Sequence, residues 1–198
     1  MESNMIRCLP VIILFLLVGC STTSIEITDA NNQIHTQHYS ITVPANHGWY
    51  QHKDVDDSDI LNMVKVMDPN VYLMRFSTNW VTDESMKSWT TKQIADEYRA
   101  GEEANMIMMG VMSGQYELKD VVNGEENVGD KECFTMSYTT ISSDVKQRAF
   151  LYLYFPKKGN FKRFLVSLYS ESSPFNNPLT ESYKSEFLET LSSLKISQ

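Results

Sequence analysis

The stretch Gln147-Arg148-Ala149-Phe150-Leu151-Tyr152-Leu153-Tyr154-Phe155 decides the layering of this chain. In a strand, alternate side chains point to opposite faces. Phe150, Tyr152 and Tyr154 then share one face, and Leu151, Leu153 and Phe155 the other. Tyr72, Met74 and Phe76 likewise oppose Val71 and Leu73. A sheet wetted on one side reads apolar-in, polar-out. These strands are apolar on both sides, so both faces need a cover.

The covers are helical. From Asp83 to Met112, the residues Ile94, Tyr98, Gly101, Asn105, Met108 and Met112 recur every three to four positions, with Ala95, Ala104, Met109 and Val111 broadening the face. Asp96, Glu97, Arg99, Glu102 and Glu103 fall mostly on the wet side. Asp83 or Thr91 is the expected cap, and Ser113-Gly114 the stop. A second helix is expected after Asn177-Pro178, with a stripe of Tyr183, Phe187, Leu188, Leu191 and Leu194.

Strands are expected at 39–43, ended by Pro44, from Gly48-Trp49-Tyr50, and at 61–67 and 71–78 around the turn Asp68-Pro69-Asn70. A meander follows at 116–122, 132–141, 147–155 and 161–169, with turns at Asn123-Gly124 and Lys157-Lys158-Gly159-Asn160. The fold class is α+β, a helix–sheet–helix sandwich around a mainly antiparallel sheet.

The 198 residues carry 42% hydrophobic and 11% aromatic side chains, enough for one well-packed domain. The formal charge of -8 repels phosphate backbones, which argues against nucleic acid as a partner.

The amino terminus reads as a leader. Arg7 precedes an apolar run at 9–18, too short for a membrane span of about 20 residues but suited to a signal peptide. It ends in Leu17-Val18-Gly19-Cys20, which resembles the bacterial lipobox. That resemblance implies cleavage before Cys20, with a covalent diacylglycerol and N-acyl lipid (palmitate-type chains) on its sulfur and amine. Two or three chains give stable anchoring where one is marginal. Ser21 follows the anchor and no aspartate does, a pattern similar to Gram-negative outer-membrane sorting on the periplasmic side. The start codon is Met1 or Met5. The expected division is a lipoprotein signal peptide at 1–19, the lipidated cysteine and polar tether at 20–37, and a single α+β domain at 38–198.

The order of elements resembles the Mog1/PsbP-like fold and its small PsbP-like and DcrB-like bacterial lipoproteins. Tyr39-Ser40-Ile41-Thr42-Val43-Pro44 with Gly48-Trp49 looks like the family's opening strand and bend. Val128-Gly129-Asp130-Lys131-Glu132 looks like its entry into the meander, and residues 187–196 like its closing helix and tail. The resemblance implies topology and carries no shared catalytic set.

No catalytic constellation is present, and no cofactor is expected beyond the lipid. His35, His38, His47 and His52 are the candidate metal ligands, though a flexible lead-in fixes no geometry for the first pair. The acidic run 54–59 lacks the glycine and terminal glutamate of a calcium loop. Gly110-Val111-Met112-Ser113-Gly114 places its serine one position late for a nucleophile elbow. Met106, Met108, Met109 and Met112 read as core packing before soft-metal ligation. Cys133 reads as a packed, inert thiol.

The leading functional expectation is a membrane-anchored cell-envelope lipoprotein that serves as a non-catalytic binding or accessory module for another envelope protein, with Trp80, Trp89 and Tyr98 as surface candidates. The alternative is a periplasmic small-ligand or metal binder with a pocket between helix and sheet.

Overall fold

A computed structural model describes residues 24–52, 60–81, 84–156 and 163–197. The leader, lipobox and Cys20, the acidic run 54–59, Asp83 and the turn at 157–160 lie outside the described residues.

The chain is α+β, with a large antiparallel sheet and two helices. The strands are β1 (Ser24–Glu26), β2 (Gln33–His35), β3 (Tyr39–Thr42), β4 (Tyr50–His52), β5 (Leu61–Met67), β6 (Asn70–Trp80), β7 (Glu117–Val128), β8 (Lys131–Ile141), β9 (Val145–Tyr154), β10 (Arg163–Pro174) and β11 (Lys195–Ile196). The helices are α1 (Thr91–Ser113) and α2 (Lys184–Ser193). Eight strands pair in the order β1-β4-β5-β6-β10-β9-β8-β7, and β11-β3-β2 form a second, three-stranded sheet. Strands β1 and β2 fall within 20–37, read above as tether, and Ile27 and Ile34 there are buried in the core.

The two apolar rows of β9 do go to two separate cores. Phe150 and Tyr152 join Tyr72, Met74, Phe76, Tyr169 and Phe187. Ala149, Leu151 and Leu153 join Ile94, Ala95, Phe164 and Val166. The first core is covered by α2 together with the small sheet, through Ile34, Tyr39 and Ile41, rather than by a helix alone. The second lies under α1.

Helix α1 departs from expectation at both ends. Its cap is Thr90: the hydroxyl accepts from the Gln93 amide, and the Gln93 side chain returns to the Thr90 amide at 2.8 Å. Residues Glu84–Ser88 form a separate 3-10 turn. Arg99, expected in water, is buried; its Nη1 donates to the carbonyls of Gly124 and Thr135, both at 3.0 Å, and its Nη2 to Asp96. Met108 and Met112, expected in the core, are 53% and 79% exposed.

Asn123-Gly124 is no turn. Strand β7 runs on to Val128, with Gly124 paired to Thr135, and the turn comes at Gly129 with φ 62°. The carbonyl contact from Arg99 and the close Thr135 hydroxyl, 3.1 Å from where a Cβ would sit, favour glycine there. Strand β10 continues to Pro174, and α2 starts at Lys184, past Asn177-Pro178. The reason is Glu171. Its fully buried carboxylate accepts from the amides of Thr180 and Glu181, the Thr180 hydroxyl and the Asn70 amide, holding residues 180–181 out of the helix.

Phe187 is the keystone of the first core. It is fully buried, with its ring 5.6 Å from Phe76, 5.4 Å from Tyr152 and 5.8 Å from Tyr169. Phe187→Ala should cost about 3–5 kcal/mol, read as a lower midpoint in urea unfolding.

Candidate functional site

Three surfaces merit a functional reading. The first is the far half of α1. Gly110 lets the chain fold back: an added Cβ would stand 2.8 Å from the Tyr116 carbonyl. Tyr116 in turn donates its hydroxyl to the Met106 carbonyl at 2.9 Å. The helix is closed by Gly114, at φ 61°. Around that scaffold Ile107, Met108, Met109, Val111 and Met112 are exposed, Val111 at 78%. Val122 on β7 is exposed as well. An apolar tip with no cover in its own chain is unusual for a stable domain.

The second is a recess of about 330 Å³ between α1 and β6. Arg75, Ser77 and Asn79 line one side, Tyr98 and Glu102 the other, and Leu151, Val166 and Leu168 the floor. Burial holds the Glu102 carboxyl above the usual carboxylate range, and Arg75 opposes that shift. Burial also raises Tyr98, Tyr116 and Tyr138, and the charge of Glu102 adds to all three.

The third is a larger recess, about 560 Å³, lined by Glu125, Glu126, Asp130, Glu132, Cys133 and aromatic rings. Its carboxylates have partners already: Glu125 pairs with Lys92 at 3.2 Å, Asp130 with Lys131 at 2.8 Å, and Glu126 accepts from the Tyr152 hydroxyl at 2.9 Å. Burial pushes the Cys133 thiol up to about 12, against the pull of Lys131. Such a thiol is not a nucleophile at neutral pH.

The histidines are dispersed. His47 meets Glu186 at 3.0 Å, His38 stands edge-on to Trp80, His52 contacts the Ser24 hydroxyl at 3.2 Å, and His35 is exposed. Among the described residues no three His, Cys, Asp or Glu side chains are grouped to hold a metal. The Ser113 hydroxyl accepts from the Gln115 amide, as a helix end requires. Of the aromatic surface candidates, Trp80 is 49% exposed and stacked by Arg163 at 5.6 Å, whereas Trp89 and Tyr98 are half-buried against the second core. Glu186 was not singled out by sequence. It accepts from Trp49 Nε1 at 2.6 Å and faces Lys65 at 4.0 Å, tying α2 to the Gly48-Trp49 bend. Nor were Arg75 and Glu102, which lie on separate elements with no spacing signature.

No helix among the described residues is long and apolar enough to cross a membrane. No family model matches the sequence, and no curated protein matches it. Similar solved structures include a protein from Bacteroides thetaiotaomicron VPI-5482, at 12% identity and TM-score 0.46 over 81% of this chain; the chain spans 45% of that protein's length. LpqN, involved in cell envelope biogenesis of Mycobacterium tuberculosis, is similar at 7% identity and TM-score 0.41, over 90% of this chain and 93% of LpqN. Cyanobacterial PsbP (CyanoP) from Synechocystis sp. PCC 6803 is similar at 12% identity and TM-score 0.41, over 91% of this chain and 95% of its own. None of these likenesses carries a residue role to this chain.

Two outcomes follow from the site chemistry. Cys133 should resist iodoacetamide at pH 7.5 in the folded protein and react once urea unfolds it, as followed by mass. A carboxyl raised in the folded state costs stability where it is charged; the cost is absent below the ordinary carboxyl range and complete above the raised value. Glu102→Gln should therefore raise the Tm at pH 7 and leave it unchanged near about pH 3.

Proposed function

We propose that this chain is a lipid-anchored envelope protein whose domain is a non-catalytic binding module, acting through protein–protein contacts. In this reading Cys20 carries the diacylglycerol and N-acyl chains, and the domain faces the periplasm from the outer membrane of a Gram-negative cell. Its architecture is the Mog1/PsbP-like sandwich, with the small sheet added beside α2. The observation that carries the reading is the bare apolar tip of α1, where five large side chains lie exposed between Ile107 and Met112. Interfaces are enriched in methionine and apolar anchors at their centre, and flexible methionine surfaces adapt to a partner. Each such side chain, once covered, contributes about 1.5–3 kcal/mol. The recess between α1 and β6 favours a second reading, small-ligand binding.

The test is crosslinking in intact cells with capture of the anchored protein. A reproducible neighbour is expected, lost in the double variant Val111→Lys with Met112→Lys while the Tm stays within a few degrees. No neighbour, or one that the variant retains, contradicts the reading. The anchor has its own outcome: Cys20→Ala should leave unprocessed or soluble protein. Mature protein still in the membrane fraction would refute the lipobox assignment.

A further inference from the structure

The row that β6 turns toward α1 is polar in a sheet otherwise apolar on both sides. Tyr72, Met74 and Phe76 enter the first core, so the intervening Arg75, Ser77 and Asn79 face the side of α1. There they meet apolar neighbours: Leu168 stands opposite Arg75, Val166 opposite Ser77, and Leu151 opposite Leu168 in the ladder. From above, α1 supplies Tyr98, held edge-on to Phe164 at 5.6 Å, and Glu102 one turn later. The Tyr98 hydroxyl is hydrogen-bonded to Asn79, which fixes the wall of the recess.

Arg75 and Glu102 line the same cavity and sense each other electrostatically, yet they do not close into an ion pair. Opposite charges that share a recess with an apolar floor and stay apart leave room for a group of each sign between them. A simple carboxylate would meet Arg75 well and be repelled by Glu102. A simple amine would face the reverse. A zwitterion satisfies both, and charge-assisted hydrogen bonds are the strong kind. The volume of about 330 Å³ equals roughly eleven waters' share of liquid, room for a molecule the size of leucine.

We propose that the recess between α1 and β6 binds a small zwitterion with an apolar side chain, of the class of a free apolar α-amino acid. Its carboxylate lies on Arg75, its ammonium on Glu102, and its side chain on Leu151, Val166 and Leu168. The site is separate from the apolar tip, so it stands or falls independently of the partner-binding reading.

The experiment is equilibrium dialysis of labelled L-leucine against the full chain purified in detergent. Saturable binding is expected, weakened at least about tenfold by Arg75→Gln and by Glu102→Gln, the loss of one charge-assisted contact. In competition, 4-methylpentanoate and 3-methylbutylamine, each lacking one charge, should displace leucine far less well than unlabelled leucine or phenylalanine does. Glu102→Gln is the safer variant, since it removes a charge whose burial is costly and should fold at least as well as the parent. Three results overturn the proposal: no saturable binding at about 10 mM leucine, binding unchanged in both variants, or competition by 4-methylpentanoate equal to that of leucine.

Discussion

A strand with apolar side chains on both faces cannot sit at a surface, and that constraint on β9 organises the rest of the molecule. Its neighbours β8 and β10 repeat the pattern, so the sheet generates two cores and needs two covers. Magnitudes show why these rows decide the layering. Burial of one large apolar side chain contributes about 1.5–3 kcal/mol. Exposed ion pairs such as Lys119–Glu117 contribute at most about 1 kcal/mol each. Phe187 closes one core from α2, and Ile94 and Ala95 close the other from α1. The buried polar groups then fix the orientation of each cover: Glu186 ties α2 to Trp49, and Arg99 ties α1 to the carbonyls of β7 and β8.

Helix α1 is longer than the area it has to cover. Its first half packs and is pinned by Arg99; its second half carries apolar residues that find no neighbour in their own chain. The same helix also walls the recess over β6 with Tyr98 and Glu102, where polar groups converge. One element thus holds a structural half, a recess at its middle and an unsatisfied tip. The two functional readings therefore fall on neighbouring stretches of a single helix.

Sequence periodicity revealed what depends on faces. The double rows of β6 and β9, the short strand before Pro44 and the glycine stop of α1 follow from alternation and local backbone chemistry. It failed where distant partners overrule local signals. Asn123-Gly124 has the composition of a hairpin turn, but Arg99 on α1 and Thr135 on β8 hold it in a strand. Asn177-Pro178 has the composition of a helix start, but Glu171 claims the amides that follow. Met108 and Met112 share the stripe of Ile94 and Tyr98, and the stripe does not say where the sheet beneath ends. The candidate recess had no signature at all, because Arg75 and Glu102 meet only through the packing of α1 on β6.

Native-state hydrogen exchange tests the division of α1 most directly. Amides of β6, β9 and β10 should exchange only through global unfolding, along with those of α1 around Ile94 to Arg99. Amides from Ile107 to Ser113 should exchange faster, through local opening of a helix end that nothing covers. Equal protection along the whole of α1 would contradict the account, because it would mean the tip is already held by its own chain.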